Sequence, residues 1–138
     1  MTRGKKTEAR FKKMFEKFGP MRLQNNVAAH QVTLADYFFQ TKIWDVMVEC
    51  KSVACGILDI SRVTQEYRLK EWTEKQSRNR SYIFFDWSNT YRKDMYLIDI
   101  VDWIRLKPSN RSTISYIEFA RVFKDFNKIS MFLESETI

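Results

Sequence analysis

Residues 36–51 read Asp36-Tyr37-Phe38-Phe39-Gln40-Thr41-Lys42-Ile43-Trp44-Asp45-Val46-Met47-Val48-Glu49-Cys50-Lys51. Both ends of this stretch are rich in strand-forming residues, so 36–40 and 44–51 are expected as two strands. Only Thr41, Lys42 and Ile43 separate them, which predicts a hairpin. Side chains alternate along a strand. Val46, Val48 and Cys50 therefore share the face that anchors the second strand in a core, while Glu49 and Lys51 share the other. A hairpin closing through Lys42 and Ile43 sets Asp36 opposite Glu49. Two carboxylates and an ammonium then converge.

Like charges held that close repel unless something positive stands between them. A hard divalent cation suits the role, because Mg²⁺ takes oxygen ligands and keeps several waters. Asp36 and Glu49 are the expected metal ligands, with the Cys50 carbonyl as a third and Mn²⁺ as a substitute ion. Lys51 is expected to orient or deprotonate an attacking water, or to neutralise charge building on a phosphate. Asp45 shares the Glu49 face and is the fallback ligand.

Outward from this core the chain reads as alternating helices and strands. A helix is expected over 4–18, where Phe11, Met14, Phe15 and Phe18 recur at helical spacing and Gly19-Pro20 ends the segment. A short strand over 21–24 and a polar loop over 25–33 lead to Asp36. After the short apolar piece 57–60, Ser61 is the expected N-cap of a helix reaching residue 77, with Val63, Tyr67, Leu69 and Trp72 on its apolar side. Strands over 82–87 and 95–98 follow, then helices over 101–106 and 116–126, the last opened by a Ser115/Glu118 capping box. The class is α/β, a mixed sheet with helices on both faces.

The 138 residues suit one domain, and five Gly and Pro in all argue against long linkers. The net charge of +7 favours an anionic partner, nucleic acid first. Arg3, Lys5, Lys6, Arg10, Lys12, Lys13 and Lys17 face only Glu8 and Glu16 within the first 17 residues, so five of the seven excess charges lie on the first helix. Arg3, Lys5, Lys6, Arg10, Lys12 and Lys13 are the expected DNA contacts, the alternative being a solvated helix face. One histidine and two cysteines without C-x-x-C spacing exclude a structural zinc site. With no apolar signal core and no long apolar run, the expected location is a reducing cytoplasm, including that of a host cell should a virus encode the chain.

The strand Asp followed by a strand E-x-K resembles the PD-(D/E)XK nucleases. Within them the chain looks most like the archaeal-type and Gram-positive Holliday-junction resolvases, over residue 4 to about residue 99. The resemblance implies a restriction-endonuclease-like fold and a metal-dependent DNA endonuclease acting as a homodimer on four-way junctions. It also implies that Glu8, on the first helix, and Gln65, in Gln65-x-x-x-Leu69, belong to the catalytic set. Glu8 has an alternative as the i,i+4 partner of Lys12. Ala35 stands in the place of the motif's proline, and either Thr33 or His30 answers to the hydroxyl residue often found before the Asp. Residues 100–138 lie beyond the resemblance and are expected as a C-terminal helical extension of the same domain. Their aromatics, Trp103, Phe119, Phe123 and Phe126, together with strand 82–87, exceed what one small core requires, which suggests a dimer interface. Trp72, Trp87 and Trp103 are expected in core or interface. The other functions open to such a chain are a restriction-like, repair or replication-linked endonuclease and a non-catalytic nucleic-acid-binding module.

Overall fold

The structure, a computed structural model, describes residues 3–23, 34–54, 56–87, 94–126 and 129. Its centre is β3, Asp45–Ser52, whose Val46 and Val48 are fully buried. On one side β3 pairs antiparallel with β2, Tyr37–Gln40, in the register Tyr37↔Val48 to Gln40↔Asp45. That is the register expected for closure through Lys42 and Ile43. The Thr41 hydroxyl stands in for Asn-Gly turn chemistry, accepting the Trp44 N–H at 2.9 Å and the Ile43 N–H at 3.3 Å. On the other side β3 runs parallel to β5, Asn79–Asp86. A parallel neighbour needs a crossover, and the chain between them supplies α2, Glu66–Lys75. The edge strands β1, Met21–Arg22, and β6, Met95–Asp99, complete the order β1-β2-β3-β5-β6.

Period-two alternation divides the aromatics between the faces of this sheet. Phe84 points to α1, Arg3–Met14, where it meets Phe11 at 5.5 Å between ring centres, and Phe11 stacks on Phe15 at 4.7 Å. Tyr37, Phe39, Val46 and Val48 line the same face. Ile83 and Phe85 point the other way, onto Leu69 of α2, Trp103 of α3 (Ile100–Leu106) and Phe119 of α4 (Tyr116–Val122). Helices cover both faces, as the α/β reading expects. No helix among the described residues is long and apolar enough to cross a membrane.

Three expectations fail here. Trp103, Phe119 and Phe123 are fully buried and Phe126 packs against the same core, so the aromatic surplus is internal and gives no dimer patch. A sheet covered on both faces has two cores to fill, which accounts for the excess. The C-terminal stretch is also more than helices. Thr113–Ser115 forms β7, which pairs antiparallel with β4, Ile57–Asp59, in a second sheet. Finally, Ser61 does not cap α2. It lies in a 3₁₀ turn, Ile60–Arg62, where Asp59 accepts its N–H, because Ile60 and Val63 are drawn into the core first. The helix then starts with Glu66 inward and Tyr67 outward, the latter 62% exposed. Buried Glu66 accepts the Trp103 indole N–H at 2.6 Å and pairs with Lys107, tying α2 to the C-terminal elements.

Candidate active site

The β2–β3 ladder stops at Tyr37↔Val48, one pair short of Asp36 and Glu49. Asp36 turns out of register: its N–H donates to the Val48 carbonyl at 3.1 Å, and its own carbonyl accepts the Leu23 N–H at 2.9 Å. Its side chain then replaces the missing backbone acceptor, Oδ2 taking the Cys50 N–H at 2.8 Å. This bond carries the carboxylate to Glu49, with which it shares a hydrogen bond.

Glu49 is 9% exposed. Burial pushes its carboxyl up from 4.5 to about 9, and the bond to Asp36 and the charge of Asp36 add to the rise. Lys51 and Arg22 pull in the opposite direction. Burial first, then the charge of Asp36, also lifts the Cys50 thiol well above its usual value, so the sulfur is no nucleophile here. Lys51 lies two residues along β3, partly exposed and opening on the same cleft.

Glu8 reaches the site from α1. Arg22 of β1 donates to Glu8 and to Asp36 Oδ1, the latter at 3.2 Å, and lies over the Tyr37 ring. Tyr37 hydrogen-bonds Glu8, and burial, with the charge of Glu8, raises its hydroxyl to about 12. Glu8 is therefore bound into the Arg22 and Asp36 network. Glu8, Asp36, Glu49, Cys50 and Lys51 line one cleft of about 560 Å³, with Asp59 and Arg62 on its wall.

Other expected residues fall elsewhere. Gln65 precedes α2, accepts from Arg68 at 3.3 Å and does not line the cleft. Asp45 stands four residues back along β3, about 13 Å at strand rise, bonded to Gln40 and Arg78. It is no fallback ligand. His30 and Thr33 lie outside the described residues. Lys5, Lys6, Lys12 and Lys13 are exposed along α1, and Arg3 is in its first turn. Arg10 is bound instead to Asp86 at 2.5 Å.

Sequence reasoning missed Arg22 and Asp86. Nothing local marks Arg22, which only the β1–β2 register Arg22↔Tyr37 brings in. Asp86 did carry a signal, an acid inside the otherwise apolar run 82–87. Among the described residues no three His, Cys, Asp or Glu side chains form a metal-holding group. Asp36 and Glu49 offer two adjacent carboxylates, a donor pair of the kind a hard cation takes.

No family model and no curated protein sequence matches the chain. Its fold is similar to that of a solved structure, Hjc, a Holliday junction resolvase from the archaeal hyperthermophile Archaeoglobus fulgidus. The TM-score is 0.57 at 13% identity, over 88% of this chain and 95% of that one. The likeness establishes the fold: a mixed five-stranded sheet flanked by helices, as in that nuclease.

Proposed function

We propose that the chain is a metal-dependent DNA endonuclease and, more finely, a Holliday-junction resolvase that makes paired cuts in four-way junctions. The observation that carries the reading is the Asp36–Glu49 carboxyl pair, Glu49 buried and Asp36 partly exposed, with Lys51 two residues on, towards the end of β3 in a fold like that of Hjc.

In this reading Asp36, Glu49 and the Cys50 carbonyl hold Mg²⁺, with Mn²⁺ as substitute. When bound, the cation acidifies a coordinated water and offsets phosphate charge. The chain's own groups do the rest. Glu49 would release the proton it shares with Asp36 to solvent on binding the cation. Lys51 presents its ammonium to the phosphate and steadies the charge that grows there. Arg22 holds Glu8 and Asp36 together from β1. Gln65 stands outside the cleft lining, at the start of α2. The exposed lysines of α1 supply sequence-independent phosphate contacts. Two opposed cuts need two such clefts, and a second copy related by a two-fold axis supplies the other.

Labelled four-way junction, linear duplex and single strands are incubated with Mg²⁺ or with EDTA, and oligomeric state is followed by light scattering. Paired symmetric nicks confined to the junction, made by a dimer and abolished by EDTA, support the resolvase. Equal cutting of linear duplex moves the protein to a general endonuclease of the same fold. Undiminished cutting in EDTA removes the metal mechanism, and no cutting of any substrate removes the nuclease reading.

A further inference from the structure

Asp86 is the last residue of β5, paired with Ser52 one ladder step beyond Lys51↔Phe85. It is 1% exposed. A carboxylate that buried is kept only with strong partners. Two come from α1: the Thr7 hydroxyl donates to Oδ2 at 2.8 Å and the Arg10 guanidinium donates to the same oxygen at 2.5 Å. Thr7 is itself buried.

Beyond these bonds and those of Glu8 to Arg22 and Tyr37, α1 grips the sheet through aromatic contact, Phe11 and Phe15 against Tyr37, Phe39 and Phe84. Such contact holds a helix down but is not directional, so it leaves rotation and sliding weakly fixed. Hydrogen bonds to one fixed oxygen set both. Glu8 follows Thr7 directly, about 100° further round the helix. With Thr7 against Asp86, Glu8 is turned to the cleft, where Arg22 and Tyr37 receive it.

We propose that Asp86 is a positioning residue. It fixes the rotation and register of α1 through Thr7 and Arg10, and so holds Glu8 in the cleft. The effect on cleavage rests on the nuclease reading above; the effect on the helix does not.

Thr7→Val is the variant of choice, since it keeps the shape of the side chain and removes one bond to Asp86 without stranding Arg10. Two measurements on the full chain are combined. In single-turnover cleavage of a junction at saturating protein, Thr7→Val should slow the rate about ten-fold with DNA affinity unchanged, because small misplacements near the chemistry are costly. In a Glu8→Gln background the same substitution should cost nothing further, since the group it positions is already silenced. A full ten-fold loss in that background, or no loss in either, overturns the proposal. Amide exchange gives the second measurement: α1 amides should exchange about ten-fold faster in Thr7→Val, with β3 and β5 amides unchanged. Should the wild-type chain cut no DNA, the nuclease reading fails and exchange alone decides, unchanged α1 protection overturning the clamp.

Discussion

Glu49→Gln should make the metal-free protein more stable, and only above the pH at which an ordinary carboxylate ionises. In the unfolded chain Glu49 loses its proton near 4.5, whereas burial beside Asp36 keeps it in the folded chain up to about 9. Between those values the folded state binds one proton more than the unfolded state, so stability falls as pH rises, by up to about 1.4 kcal/mol per pH unit. Three units above 4.5, at pH 7.5, the ceiling is about 4 kcal/mol. Solvent at Asp36, whose side chain is a quarter exposed, screens the pair and reduces the expected penalty to about 1–2 kcal/mol. Glutamine escapes it, being neutral at every pH while still able to donate to Asp36. Urea unfolding in EDTA is the assay. With a slope of about 1–3 kcal/mol per molar, the midpoint of Glu49→Gln should lie about 0.5–1 M above wild type at pH 7.5 and coincide with it at pH 4.5. Saturating Mg²⁺ should reverse the order by stabilising wild type alone, by about 2.7 kcal/mol at one hundred times its dissociation constant. A gap of the same size at both pH values, or a variant less stable at pH 7.5, would refute the reasoning.

Lys51→Ala should lower the cleavage rate at least about 10²-fold, with junction affinity kept within about two-fold; loss of binding in parallel would make Lys51 a phosphate contact instead. Trp103→Phe strands the Glu66 oxygen that the indole N–H now serves, and should cost about 1–3 kcal/mol in chemical denaturation. A chain ending at Asp99 loses Trp103, Phe119 and Phe123 from the core and should show no cooperative unfolding by near-ultraviolet circular dichroism; a sharp transition would count against the packing described above. Changing Lys5, Lys6, Lys12 and Lys13 to Glu should flatten the salt dependence of DNA binding by roughly one unit of slope per lost phosphate contact, and unchanged affinity at moderate salt would leave α1 a solvated face.

The elements that the sequence made legible are those whose information is local. Period-two alternation and a short connection fixed the β2–β3 register, and helical spacing of phenylalanines marked α1. What stayed hidden depends on partners distant in the chain. β4 and β7 are three residues each and exist because they pair with one another, 54 positions or more apart, as Ile57↔Ser115, Leu58↔Ile114 and Asp59↔Thr113. Glu66 reads as a surface residue until Trp103 and Lys107 arrive to bury it. The aromatics of residues 100–126 read as surplus because the reading filled one core where a two-faced sheet has two.

The site shows the same division. Glu-x-Lys on a strand is common in sequences and means little alone. Here it acquires meaning from Asp36, and Asp36 reaches Glu49 by leaving the ladder rather than by continuing it. Had the ladder gone on, a backbone oxygen would have taken the Cys50 N–H and the Asp36 carboxylate would have been free to turn to water. By substituting for that oxygen, Asp36 is pinned next to a second carboxyl that is nearly buried. The chain then surrounds the pair with cations that do not remove the conflict: Arg22 divides its charge between Glu8 and Asp36, and Lys51 remains partly exposed. Holding two carboxyls together, with burial keeping a proton on one of them, costs stability. A divalent cation would relieve that cost, which is the physical ground for expecting Mg²⁺, under the proposed nuclease reading, to strengthen the fold as well as to serve cleavage.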